Sequence, residues 1–128
     1  MTRSLTIGMS MLAGALVGGG AIQALHAQAK PPVYQVTLQE VSDPAALAKE
    51  FVPIARETIR KHGGHVLAGS PPVVLEGPPL KGRVIVNQWD SMEQVKAWYS
   101  SPEYQKAREI GNKYAKFHIM LVEGLPPQ

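Results

Sequence analysis

The 128-residue chain has no cysteine, which excludes disulfide cross-links, thiolate metal ligands and thiol nucleophiles together. It also lacks the clustered basic stripe, interleaved with aromatic platforms, that a nucleic-acid reader needs. Thirteen Lys and Arg stand against ten Asp and Glu. Several of those bases have an acid one helical turn earlier, as in Glu57 with Lys61 and Glu109 with Lys113,. No serine stands in a nucleophile-elbow setting, and no glycine-rich phosphate loop follows a strand,. A small chain without staples or a tightly bound polyanion must stand on one hydrophobic core.

The longest uncharged run is at the start. Arg3 is followed by Ser4 to Ala29 without a formal charge, with the apolar stretch "MLAGALVGGGAIQAL" inside it. Ala27 and Ala29 in "HAQAK" form the small-x-small pattern cut by a signal peptidase,. The expectation is an export signal over residues 1–29, cleaved after Ala29 or, alternatively, Ala27, and a single domain over 30–128. The mature chain is then periplasmic or secreted and free of the membrane. The rival is an uncleaved anchor, since the run is long enough to cross a bilayer. Its glycines and small-residue end favour cleavage, and a lone arginine argues against the twin-arginine route.

Downstream, Tyr34, Val36 and Leu38 alternate with Gln35, Thr37 and Gln39, the period of a half-buried strand. "SDP" opens a helix, with Asp43 as cap and Pro44 in the first turn,. Leu47, Phe51, Ile54 and Thr58 form its stripe, widened by Val52, Ala55 and Ile59, and Pro53 should kink it,. The helix ends at "KHGG",. "HVLAG" is a short strand, and the Pro- and Gly-rich pieces through "PPLKG" predict an attached small hairpin or bulge,. "RVIVNQW" is a strand. "DSMEQVKAWY" is a helix with Asp90 and Glu93 in a capping-box pattern, and "SSPEY" breaks it at a new cap and first turn, Ser101 and Pro102,. "FHIMLVEG" is the last strand. The order is βαββαβ, an α+β ferredoxin-like fold with a four-stranded antiparallel sheet and two helices on one face. The other, partly apolar face has no cover from this chain, which predicts a homodimer packed sheet to sheet.

The stretches "VSDPAALAKEFVPIARETIRKHGGHVLAG", "VVLEG", "VIVNQWDSMEQVKAWYSSPEYQKAR" and "LVEG", in this order, resemble the domain-of-unknown-function family numbered 1330. That resemblance implies the dimeric α/β-barrel superfamily, whose members include cofactor-free monooxygenases, muconolactone-type isomerases and haem-binding barrels. It implies no activity of its own. It also implies a glutamate just before the aromatic that ends the third strand. Here Gln88 stands there, a group that orients by hydrogen bonds but exchanges no proton near neutral pH.

Candidate site residues follow. His62, in the last turn of the first helix, suits the carbonyl end of that helix, or alternatively serves as a general base at a cavity mouth. His65 opens the next strand. Gly63 and Gly64 break the helical spacing that would let His62 and His65 share a metal, and no nearby acid completes a ligand set, so no metal site and no cofactor are expected. Phe117, Ile119 and Leu121 are assigned to the helix side of the sheet. His118, Met120 and Val122 are assigned to the barrel interior beside Gln35 and Thr37. Gln35, Thr37, Gln88, His118 and Met120 are thus the expected ligand-binding set for a small apolar or aromatic molecule. An isomerase or monooxygenase with His62 or His118 as base, and a structural dimer with a filled interior, are the alternatives. Tyr34, Trp89, Trp98, Tyr99 and Tyr104 are read mostly as packing, and Arg83 as a rim residue.

Overall fold

The computed structural model describes residues 30–127; the expected export signal, at 1–29, lies outside the described residues. Residues 31–126 form one compact unit. Its elements run β1 (Val33–Val41), α1 (Pro44–Ala46), a π-helical turn (Leu47–Phe51), α2 (Val52–Lys61), β2 (His65–Ser70), β3 (Arg83–Trp89), α3 (Met92–Ser100), α4 (Pro102–Gly111) and β4 (Ala115–Glu123). All pairings are antiparallel, and the strand order is β2-β3-β1-β4. This is the expected four-stranded ferredoxin-like sheet, with the helices on one face.

Local chemistry explains the element boundaries. The Asp43 carboxylate accepts from the Ala46 N–H at 3.1 Å, so the first helix starts at the expected cap,. Pro53 has no N–H to give, and the ladder answers by slipping one residue: the Val52 N–H reaches the Leu47 carbonyl, closing a π turn,. That extra residue turns the buried stripe. Leu47, Phe51, Ala55, Thr58 and Ile59 are buried, while the expected core residue Ile54 is 42% exposed.

Gly63, with φ +84°, ends α2. The Gly63 N–H donates to the Arg60 carbonyl (3.1 Å) and the Gly64 N–H to the Ile59 carbonyl (2.9 Å), the paired bonds of a Schellman end. A Cβ on Gly64 would lie 2.7 Å from the Trp89 ring, so this corner packs directly on the core. Glu57 pairs with Arg60 (2.6 Å), where the sequence spacing had suggested Lys61.

Two other boundaries differ from expectation. The α3 cap is Ser91, which accepts from the Gln94 N–H (3.1 Å), while the Gln94 side chain accepts from the Asp90 N–H (2.7 Å). The observed capping pair is therefore Ser91 and Gln94, one residue later than expected, with Gln94 reaching back past the cap to the Asp90 N–H,. Between β2 and β3 there is a register shift at Val66/Ala68, the expected bulge, but residues 71–82 form no hairpin. Four prolines in that stretch withhold the N–H groups a ladder needs,.

The core is an aromatic and aliphatic layer between sheet and helices. Trp89, Trp98 and Val95 are almost fully buried. Trp98 packs on Trp89 (ring centroids 5.2 Å apart) and on Tyr104 (4.1 Å),. Its indole N–H donates to Thr58 Oγ1 at 3.0 Å, and that hydroxyl donates to the Ala55 carbonyl. Ser101 caps α4 by accepting from the Tyr104 N–H (3.2 Å) and sets the bend between α3 and α4.

Candidate functional site

Residues directly opposite one another on antiparallel strands share a face, so the register decides which side chains meet. Gln35 pairs with Asn87 and Leu121, and Thr37 with Ile85 and Ile119. Leu38 pairs with His118 and Val84, Val36 with Met120 and Val86, and Tyr34 with Val122 and Gln88. The helix side therefore carries Val33, Gln35, Thr37, Ile85, Asn87, Trp89, Phe117, Ile119 and Leu121. The outer face carries Tyr34, Val36, Leu38, Val84, Val86, Gln88, His118, Met120 and Val122.

This splits the expected ligand-binding set. Gln35 and Thr37 lie under the helices, 2% and 5% exposed. Gln88, His118 and Met120 lie on the opposite face, so they do not stand beside Gln35 and Thr37 within one subunit. The β4 assignment (Phe117, Ile119 and Leu121 toward the helices) is right. The error lay in β1, whose polar alternates were given the face that its apolar alternates occupy.

Between the helices and the sheet lies a cavity of about 670 Å³, within the usual size range for small-molecule sites. Its walls include Leu47, Phe51, Ala55, Ile85, Phe117 and Ile119, with Trp98 and Tyr104 from the aromatic layer. The small residues Ala48, Ala55, Gly69 and Gly82 are also among its lining. Arg56, Lys81 and Arg83, together with Glu40, are its charged lining residues. Arg83 is exposed and donates to the Gly69 carbonyl at 3.3 Å, the rim position expected for it.

The floor is polar and wired in one direction. The Trp89 indole N–H donates to Gln35 Oε1 at 2.9 Å, and Asn87 Nδ2 donates to the same oxygen at 3.3 Å. Gln35 Nε2 then donates to Thr37 Oγ1 at 3.1 Å. Asn87 Oδ1 is left buried with no partner, although Asn87 is itself a lining residue. Buried polar atoms are nearly always satisfied, so this orphan stands out. Asn87 went unnoticed in the sequence. The available signal was Trp89, whose buried N–H needs an acceptor, together with the parity that puts Gln35, Asn87 and Trp89 on one face.

Neither histidine candidate lines this cavity. His62 Nδ1 lies 2.8 Å from the Thr58 carbonyl and Nε2 lies 3.8 Å from Glu103. It ties the end of α2 to the start of α4, so its structural role at the helix terminus is the observed one. His118 is exposed on the outer face. His65 pairs with Gln88 and is likewise exposed. Among the described residues no group of three or more His, Asp or Glu side chains is placed to hold a metal ion. At the wall residue Tyr104, burial first, then neighbouring Tyr99, push the phenol up to about 12, with Arg108 working against them.

Fold and cavity together define an α+β protein of ferredoxin-like topology with a pocket between sheet and helices. Residues 32–125 match the family model described as "Domain of unknown function (DUF1330)"; the chain belongs to that family. No curated protein matches it. Among solved structures it is similar to a protein of unknown function from Rhodopseudomonas palustris, at TM-score 0.61 and 15% identity over 77% of this chain and 85% of that one. A hypothetical Arabidopsis thaliana protein follows at TM-score 0.57 and 16% identity, covering 78% and 94%. SnoaB, a cofactor-independent oxygenase from Streptomyces nogalater, gives TM-score 0.54 and 13% identity, covering 74% and 94%. These likenesses show the fold.

Proposed function

We propose that this is an exported homodimer, periplasmic or secreted, in which each subunit holds a small apolar or aromatic molecule between its sheet and helices. The observation that carries the binding reading is the cavity itself: an apolar wall with a short polar floor of Gln35, Thr37 and Asn87. That is the composition of a small-molecule site, in which apolar area supplies affinity and a few polar groups fix orientation. A void of this size speaks against a purely structural dimer with a packed interior. An isomerase or oxygenase using His62 or His118 finds neither imidazole at the cavity, and likeness to SnoaB at fold level transfers no chemistry.

The homodimer rests on the outer face. Val36, Val86 and Met120 form its central row, flanked by Tyr34, Leu38, Val84 and Val122. Of the charged residues in register there, Glu40 is paired with Lys116 at one end, so a second copy meets a neutral, apolar centre. Gln88 and His118 would then lie at the subunit boundary and not in the ligand cavity.

Native mass spectrometry of mature protein from the exported fraction tests all three parts. The expected result is a dimer beginning at Lys30 or Gln28 and carrying an organic adduct that is absent from Ala55→Phe, a variant that plugs the cavity. A bare dimer that also fails to bind added apolar probes would overturn the ligand reading, and a monomer would overturn the assembly.

A further inference from the structure

Three cations border the cavity, and they reach it from separate elements: Arg56 from α2, Lys81 from the loop before β3, and Arg83 from β3 itself. Arg56 stands one helical turn from Val52 and from Ile59, which also line the cavity,. Lys81 and Arg83 flank Gly82, whose φ is +92° and where a Cβ would overlap the Gln39 carbonyl of β1. Only glycine fits there, so the turn that carries both cations is seated against the sheet. Arg83 is in register with Gln39 on the helix side. Its guanidinium donates to the Gly69 carbonyl, a bond that uses one of five N–H groups. A methyl on Gly69 would lie 2.8 Å from Ile85 Cδ1 and 3.9 Å from Arg83 Nη2, so the charged fork borders the apolar wall.

Negative charge does not balance them. Glu40 is the acid among the lining residues, and its register opposite Lys116 puts its side chain on the outer face,. Among the described residues, Arg56, Lys81 and Arg83 stand in no ion pair. Building on the cavity reading above, we propose that the cavity takes monocarboxylates with an apolar or aromatic body, the body against the apolar wall and the carboxylate at the edge on Arg56, Lys81 and Arg83. All three side chains belong to exposed residues, so the carboxylate keeps part of its hydration and no charge is buried. The planar arginine fork matches a carboxylate in shape as well as in sign.

The test is calorimetric titration of the purified protein at neutral pH and low ionic strength, with β-naphthoate, its methyl ester and β-naphthylmethylammonium. Each exposed charge contact is weak, but three together should make β-naphthoate bind about tenfold more tightly than the ester, with the ammonium weakest. Combining Arg56→Gln, Lys81→Gln and Arg83→Gln should bring the three affinities together. Equal affinities in the native protein would overturn anion selection while leaving the cavity reading in place. A naphthoate preference that survives the triple substitution would overturn the assignment to these cations. Should that variant not fold, the ranking of naphthoate against ammonium in the native protein decides alone. Failure of all three probes to bind would overturn the cavity reading, and this proposal with it.

Discussion

Replacing Asn87 by leucine should make the protein more stable. Asn87 is 2% exposed, and its Oδ1 has no hydrogen bond. An unsatisfied buried acceptor costs about 1–3 kcal/mol, and leucine, which keeps the same branched skeleton of heavy atoms, removes it. The substitution also removes the bond from Asn87 Nδ2 to Gln35 Oε1, but at 3.3 Å this is the longer of the two bonds that oxygen accepts. Gln35 keeps Trp89 at 2.9 Å. Losing the weak bond costs about 0.5–1 kcal/mol, so the net gain is about 1 kcal/mol. Gln35→Leu should do the opposite. It strands the Trp89 N–H and the Asn87 amide nitrogen together, for a loss of about 3 kcal/mol. In the Gln35→Leu background, Asn87→Leu should then recover more than it gains alone, because it also removes an orphaned donor. Urea unfolding of the four proteins, with m-values checked for constancy, measures the cycle. A loss of 1 kcal/mol or more in Asn87→Leu at unchanged m would refute the reasoning, since it would mean that Oδ1 is already satisfied.

Three further outcomes are expected. Val86→Arg, at the centre of the outer face opposite Val36, should give a monomer by sedimentation with the far-ultraviolet spectrum unchanged; a dimer that persists would move the interface elsewhere. Gly64→Ala should lower stability by about 2–4 kcal/mol, because the new methyl meets Trp89 at 2.7 Å and Ile59 at 2.8 Å, and a melting temperature within a few degrees of native would show that the corner can yield. Tyr104 should weaken the fold in base: its phenol sits near 12 in the folded state against about 10 when unfolded. The unfolded chain therefore sheds the proton first, and stability falls between about pH 10 and 12 by roughly 2–3 kcal/mol. Tyr104→Phe should flatten that decline, and an unchanged slope would rule the phenol out as its source.

The fold was legible because each element announces itself locally. The Asp43-Pro44 start, the "KHGG" stop and the Ser101-Pro102 break all depend on backbone chemistry within a few residues. The alternating strands gave the element type but not the face. Apolarity alone puts Tyr34, Val36 and Leu38 inward and Gln35 and Thr37 outward, yet the register gives the reverse for β1 relative to the helices. Both faces of this sheet are partly covered by apolar side chains, so hydrophobic alternation loses its power to choose. The π turn was hidden for a similar reason. Pro53 signals a lost hydrogen bond, but only the packed helix shows that the ladder repairs it by adding a residue and turning Ala55 inward in place of Ile54.

The inversion in β1 is also an argument about function. Three polar side chains, Gln35, Thr37 and Asn87, occupy the core face of a subunit that has few residues to spare for a core,. A strand built only for stability would carry valine or isoleucine there, as its own outer face does. The Trp89 N–H accounts for one acceptor, and the Gln35 amide supplies it. Thr37 accepts the amide's proton. Asn87 is the residue with no structural account: it donates a long bond to an oxygen that already has a better one, and it leaves its own oxygen unpaired. A buried amide with an unpaired oxygen costs a small domain stability, and the proposed small-molecule site is the reading that gives it a use.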